Sequence, residues 1–173
     1  MTTVIAATDR PDSNTLNVAR QYLEAIESQG LEVNLFSLED LPVDFFTAGK
    51  YGAPPASFEQ VLHKSVESAS HFIFVVPEYN GSFPGVLKFF LDIVPPSVWA
   101  GKKAALAGVA TGRAGNLRGL DHLTAVLHYL KVEVFHQKPY FSSIHLHLDA
   151  DDKLSDEEYK SLLSHQVNAF ADF

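Results

Sequence analysis

The sequence contains no cysteine, a single methionine and a single tryptophan, and its 173 residues carry 13 Lys and Arg against 21 Asp and Glu, for a net charge of −8. Without cysteine there is no disulfide framework, no thiolate metal site and no cysteine nucleophile, and nothing points to an oxidising compartment. The deficit of positive charge works against nonspecific nucleic-acid binding, which depends on Lys and Arg neutralising phosphates. No apolar run approaches the roughly 18 residues of a membrane span, and Met1-Thr2-Thr3-Val4-Ile5 has no basic leader region. These absences predict a soluble, cytoplasmic protein with neither nucleic-acid nor membrane partners. A chain of this length can bury about 70% of its unfolded surface, so one domain over 1–173 is expected.

What is present is an alternation of short apolar runs with longer stretches of helical period, the pattern of repeated βα units around a parallel sheet. Strands are predicted at Thr3–Ala7, Glu32–Ser37, His71–Val76, Ala104–Ala110 and Val132–Phe135. The first helix ends near Gln29 and carries Leu16, Ala19, Leu23 and Ile26 on one face. Leu38–Ser57 reads as irregular, and further helices are expected at Phe58–Ser68, Gly85–Val94 and from Asn116 to about Leu130. The last helix is expected to start at Ser155, in a capping box with Glu158, and to run to near Phe170. The result is a doubly wound α/β sheet, whose ligand belongs beyond the carboxyl ends of the strands, on the loops after strands one, three and four.

The first of these loops brings Thr8, Arg10, Ser13, Asn14 and Thr15 to a helix start, where hydroxyls, backbone donors and the helix dipole suit a phosphate. Asp9 and Asp12 have to point away from such an anion. The second, Pro77-Glu78-Tyr79-Asn80-Gly81-Ser82-Phe83-Pro84-Gly85-Val86-Leu87-Lys88, packs an aromatic ring, glycines, prolines and amide donors after a buried strand, which suits a flat heteroaromatic ligand. The third, Thr111 to Asn116, offers two glycines, Gly112 and Gly115, and one cation, Arg113, along the other edge.

Together these loops resemble the NADPH-dependent FMN reductase family, the flavodoxin-like group that includes chromate, quinone and azo-dye reductases. Pro77–Lys88 is similar to that family's Pro-Glu-Tyr-Asn signature followed by Pro-Gly and Leu-Lys, and Thr8, Arg10 and Ser13 to its Gly-Ser-x-Arg-x-x-Ser phosphate loop. Ala7-Thr8 stands in place of Gly-Ser, which keeps the hydroxyl and gives up glycine's backbone freedom. Phe89 and Ile93 also depart from the family pattern.

The resemblance implies a five-stranded sheet of order 2-1-3-4-5 with helices on both faces. It also implies FMN as cofactor, with its phosphate among Thr8, Arg10, Ser13, Asn14 and Thr15. The isoalloxazine would lie against Pro77, Glu78, Tyr79, Asn80 and Gly81 and against Thr111, Gly112, Arg113 and Gly115. NADPH or NADH would deliver hydride to the flavin, and electrons would pass to a small-molecule acceptor: a quinone, flavin, azo compound or metal oxyanion. No protein nucleophile or acid/base pair is required, so no catalytic side chain is assigned. Tyr79 and Arg113 are expected to shape the nicotinamide or acceptor pocket, and Arg10 and Arg113 are candidates for a 2′-phosphate. The alternative is a flavodoxin-type electron carrier that does not turn over nicotinamide.

The helix Leu87–Val94, followed by Pro95-Pro96-Ser97-Val98-Trp99, is more apolar than one helix on one sheet requires, which predicts a homodimer or homotetramer built on it. His145 and His147 are expected outward on one strand face, without a third metal ligand at diagnostic spacing. Asp149, Asp151 and Asp152 fail the calcium-loop pattern at its sixth and twelfth positions, Leu154 and Lys160, and read as a solvated turn.

Overall fold

The apolar runs become the strands of one parallel sheet. In the computed structural model, which describes residues 1–173, β1 (Thr2–Ala6), β2 (Val33–Ser37), β3 (His71–Pro77), β4 (Lys103–Val109) and β5 (Glu133–Val134) lie in the order β2-β1-β3-β4-β5. That is the expected order, and every ladder is parallel. The helices are α1 (Asn14–Glu27), α2 (Val43–Thr47), α3 (Glu59–Leu62), α4 (Gly85–Ile93), α5 (Pro96–Trp99), α6 (Leu117–Tyr129) and α7 (Glu157–Ala171). None is long and apolar enough to cross a membrane.

Because successive strand residues face opposite sides of a sheet, the central strands supply two cores at once. Val4, Ala6, Ile73, Val75, Ala105 and Ala107 pack beneath α1 and α7. There the buried Tyr22 hydroxyl donates to Gln166 Oε1 at 2.6 Å. Ile5, Phe72, Phe74 and Leu106 face the other way. On that side Phe36, Phe45, Phe58, Phe90 and Trp99 form a linked aromatic cluster.

That cluster corrects the reason given for an oligomer. Leu87, Phe90, Leu91, Ile93, Val94 and Trp99 are all buried within the chain. The supposedly irregular segment after β2 contains α2, and its Phe45, with Phe58, covers Phe90. Phe46 stacks on Phe89, their ring centroids 5.8 Å apart. The apolar excess of α4 is satisfied from within.

Four further expectations are corrected. The fifth strand is two short pieces: β5 pairs with the start of β4, and β6 (Tyr140–Phe141) with its end. The chain swings out between them, where Pro139 has no N–H to offer a ladder. Gln166 Nε2 fills the gap by donating to the carbonyls of Leu106, at 3.0 Å, and Gln137, at 2.8 Å. The last helix is capped by Asp156, not Ser155. Its Oδ1 accepts from Glu158 N at 2.8 Å and Tyr159 N at 3.4 Å, and its other oxygen lies 2.9 Å from His147 Nδ1. That second contact favours the carboxylate over the neighbouring hydroxyl. His145 consequently lies in a 3-10 turn, Ile144–Leu146, with His147 as its C-cap, and not on a strand. The acidic run is a turn, in which Asp149 Oδ1 accepts from the N–H groups of Asp151 and Lys153.

Segment 56–67 passes from a 3-10 turn through α3 into a π turn, where a single α-helix was expected. It is held at its end by Lys102 Nζ, which donates to the carbonyls of Val66, Glu67 and Ala69.

Candidate functional site

At the carboxyl end of β1 the chain turns through Thr8–Asp12 into α1. Ser13 is the N-cap, its Oγ accepting from Leu16 N at 3.2 Å. The N–H groups of Ser13, Asn14 and Thr15 find no acceptor within the chain. They add to the partial positive charge of a 14-residue helix and form a ready anion site. Thr8 is buried; its Oγ1 accepts from Arg10 N at 3.2 Å and lies 2.7 Å from the Tyr79 hydroxyl. Position 7 has no positive φ, so alanine there costs the backbone nothing. Asp12, expected away from the anion, is among the residues lining the cleft, with φ +50°.

The second loop leaves β3 at Pro77. Glu78 N donates to Val109 O at 3.0 Å, and Tyr79 and Ser82 exchange two backbone hydrogen bonds of 2.9 and 3.0 Å. The two residues between them, Asn80 and Gly81, have φ +52° and +77°. This double left-handed pair is the type I′ geometry for which Asn-Gly is the preferred sequence. The N–H groups of Asn80 and Gly81 have no acceptor in the chain.

A residue not singled out in the sequence holds this loop. Asn116 is fully buried at φ +65°, and its Nδ2 donates to the carbonyls of Val76, at 3.1 Å, and Pro77, at 2.9 Å. The end of β3 is thereby tied to the start of α6. Asparagine tolerates the left-handed conformation, and a Gly-Asn pair directly before a helix was the available signal. Gly119 makes room: a Cβ there would lie 2.0 Å from Asn116 Oδ1 and 2.7 Å from the Ser82 carbonyl carbon.

The third loop is anchored in the same way. A Cβ on Gly108 would lie 1.9 Å from Gly115 O, and one on Gly115 2.6 Å from Tyr140 Cβ. Ser142 Oγ donates to Arg113 O and Ser143 N to Gly112 O, each at 3.0 Å. Thr111 and Gly112 keep free N–H groups on this pinned loop.

The three loops enclose a cleft. Of the residues expected from sequence it gathers Arg10, Ser13, Asn14 and Thr15 from the first loop, Pro77, Glu78 and Tyr79 from the second, and Thr111 from the third. Val109, Ala110 and Ile144 add an apolar wall that the sequence did not reveal. Thr8 joins through Tyr79, whose hydroxyl is thus drawn to the phosphate loop. Gly115 is buried behind the third loop, where its role is close packing. Arg113 faces a neighbouring groove with Arg118, Leu117, Tyr140 and Ser142, which shares Glu78 with the cleft. Arg10 and Arg113, paired as candidates in the sequence, therefore belong to different recesses.

A parallel sheet of this order, with a helix-start anion cradle and two further loops at its carboxyl edge, defines a flavodoxin-like ligand-binding protein. Residues 2–145 match the family described as NADPH-dependent FMN reductase, and the chain belongs to that family. It is an NAD(P)H-dependent oxidoreductase with FMN as cofactor. Its relatives include an NAD(P)H-dependent FMN reductase of Pseudomonas aeruginosa, 30% identical over 88% of this chain and 84% of that one. An NAD(P)H:quinone oxidoreductase of Solanum tuberosum is 34% identical over 78% and 71% of the respective chains. Among solved structures, FerB of Paracoccus denitrificans, described as a flavoenzyme NAD(P)H:(acceptor) oxidoreductase, matches with a TM-score of 0.80 at 25% identity, covering 99% of this chain and 94% of that one.

Proposed function

We propose that this chain reduces quinones at the expense of NADPH or NADH, with FMN seated in the cleft between the three loops. The carrying observation is the cradle at the start of α1. Three unpaired N–H groups, the Ser13 and Thr15 hydroxyls and the Thr8–Tyr79 hydroxyl pair converge where a phosphate monoester needs donors. The donor set fits FMN beyond its phosphate as well. Thr111, with a free N–H group, lies on the cleft, while the expected residues Asn80, Gly81 and Gly112, also with free N–H groups, stand on the loops beside it and do not line it; Pro77, Val109, Ala110 and Ile144 offer a flavin an apolar surface.

When bound, FMN supplies the two-electron chemistry, accepting hydride from the nicotinamide and passing electrons to the acceptor. The protein's part is to hold and orient. The Asn80-Gly81 turn is fixed by its two backbone hydrogen bonds and by Asn116 behind it, so the loop beside the cleft keeps its shape without reorganisation. Glu78, shared by cleft and groove, stands where a second ligand meets the first.

Quinone as acceptor is supported by the Solanum tuberosum relative. A homodimer is supported by a groove in which the expected segment meets α6: Tyr129 is 85% and Tyr51 72% exposed around a lining of Leu91 and Pro96 on one side and Val126 and Leu130 on the other. Cytoplasmic location fits an enzyme that draws on reduced nicotinamide.

The deciding experiment is an anaerobic absorbance titration of the purified protein with FMN, then with NADPH and NADH, then with a quinone. Bound flavin bleached by a nucleotide and recoloured by the quinone is the expected result. Flavin that binds but is not reduced would instead define an electron carrier, and absence of binding would undo the site assignment.

A further inference from the structure

The groove beside the cleft has a volume of about 560 Å³. That figure lies within the usual range for a small-molecule site, roughly 300–1,000 Å³, so a second ligand has room there, next to the cleft. Its chemistry is unusual for this molecule. The chain carries a net charge of −8 and has four arginines, Arg10, Arg20, Arg113 and Arg118. All six ion pairs are made by lysine or histidine, and no arginine side chain hydrogen-bonds within the chain. Two of these unpaired guanidinium groups, Arg113 and Arg118, line this one groove.

Their placement is specific. Arg118 Nη1 comes within 4.0 Å of where a Cβ on Gly81 would be, so the guanidinium stands beside the turn that follows β3. One turn further along α6, His122 Nδ1 lies 2.9 Å from Ser82 Oγ, tying that helix face to the same turn. Arg113 is held from behind, its carbonyl accepting from Ser142 Oγ at 3.0 Å. Planar, always charged and well supplied with donors, an arginine pair of this kind matches phosphate geometry better than lysines do. Glu78 belongs to both recesses and the arginines to the groove alone. A ligand that offers hydrogen-bond donors at one end and carries phosphate at the other fits that order, with its donors toward Glu78.

We infer that Arg113 and Arg118 bind a phosphate group of the reduced nicotinamide dinucleotide, which enters through this groove. The inference rests on the adjoining cleft being the flavin's seat. It names the side chains that hold the co-substrate there.

The test uses the FMN-loaded protein and the variants R113Q, R118Q and the double substitution. Competitive inhibition by 2′,5′-ADP and by ADP, and KM for NADPH and NADH with a neutral quinone as acceptor, are measured alongside the FMN dissociation constant. The expected result for the double variant is an inhibition constant and a nucleotide KM raised about tenfold or more, with FMN affinity and kcat within about twofold. A loss confined to NADPH and 2′,5′-ADP assigns the pair to the 2′-phosphate, and an equal loss for both nucleotides to the diphosphate. Unchanged nucleotide constants overturn the inference, as does an effect seen only on the KM of an anionic acceptor such as free FMN. Calorimetric binding of 2′,5′-ADP to wild-type and double-variant protein, made without flavin turnover, keeps these outcomes readable even if the flavin assignment itself fails.

Discussion

Tyr79 shows how one side chain can gain an assignment once the chain is folded. Its place in the loop after β3 suggested a wall of the nicotinamide or acceptor pocket, and its hydroxyl also meets Thr8 Oγ1 across 71 positions of sequence. Tyr79→Phe is therefore expected to weaken FMN binding about tenfold, the scale of one lost hydrogen bond to a charged group, as read from quenching of flavin fluorescence. An unchanged dissociation constant would remove the hydroxyl from the phosphate cradle. Asp12 acts in the opposite direction. It lines the cleft at φ +50°, close to where the phosphate reading puts a dianion. Asn tolerates the same backbone, so Asp12→Asn is expected to tighten FMN binding several-fold at low salt, with a smaller gain at high salt as screening removes the repulsion. Equal affinities at low ionic strength would show that the carboxylate does not sense the phosphate.

At the scale of elements, legibility depended on whether the deciding contact was local. Strands such as His71–Pro77 and helix α1 were readable because burial on both faces and a 3.6-residue period are written in consecutive residues. The broken fifth strand was not: Tyr140-Phe141 is too short to stand out, and the gap before it is closed by Gln166 from α7. Ser155 and Asp156 are adjacent caps of similar propensity, and His147 decides between them. The site divides along the same line, since loop chemistry was legible while the apolar wall at Ile144 and the clamp at Asn116 needed tertiary contacts. Gly108→Ala would push the third loop off its seat at Gly115. It is expected to cost about 1–3 kcal/mol in denaturant unfolding and to abolish measurable FMN affinity. Gly85→Ala, with nothing within 4 Å of its Cβ and no positive φ, is the matched control and should leave both values unchanged.

Two properties belong to the whole molecule. His71 sits at the amino edge of the sheet against Phe170, and burial, assisted by Lys103 and the chain's amino terminus, holds its imidazole below the ordinary value. The unfolded chain takes up that proton near pH 6.5, about the ordinary histidine value, while the fold resists it. Stability is thus complete above that pH and declines as pH falls toward the folded value. His71→Gln should flatten the fall in melting temperature between about pH 7.5 and 5.5, and an unchanged slope would place the acid sensitivity elsewhere. The second is the proposed homodimer: if it is built on the groove that Tyr51 and Tyr129 flank, Tyr129→Glu, at a residue 85% exposed, shifts sedimentation from dimer to monomer without lowering FMN affinity. The contacts of Gly108 and Gly119 carry a longer consequence. The loops around the cleft rest on approaches too close for any side chain, so a substitution at those positions must displace a loop. Arg113, Leu117 and Arg118 in the neighbouring groove are exposed, and a substitution there meets no such barrier. Such a fold can diverge in what it reduces and in which reductant it favours while its redox centre is inherited intact.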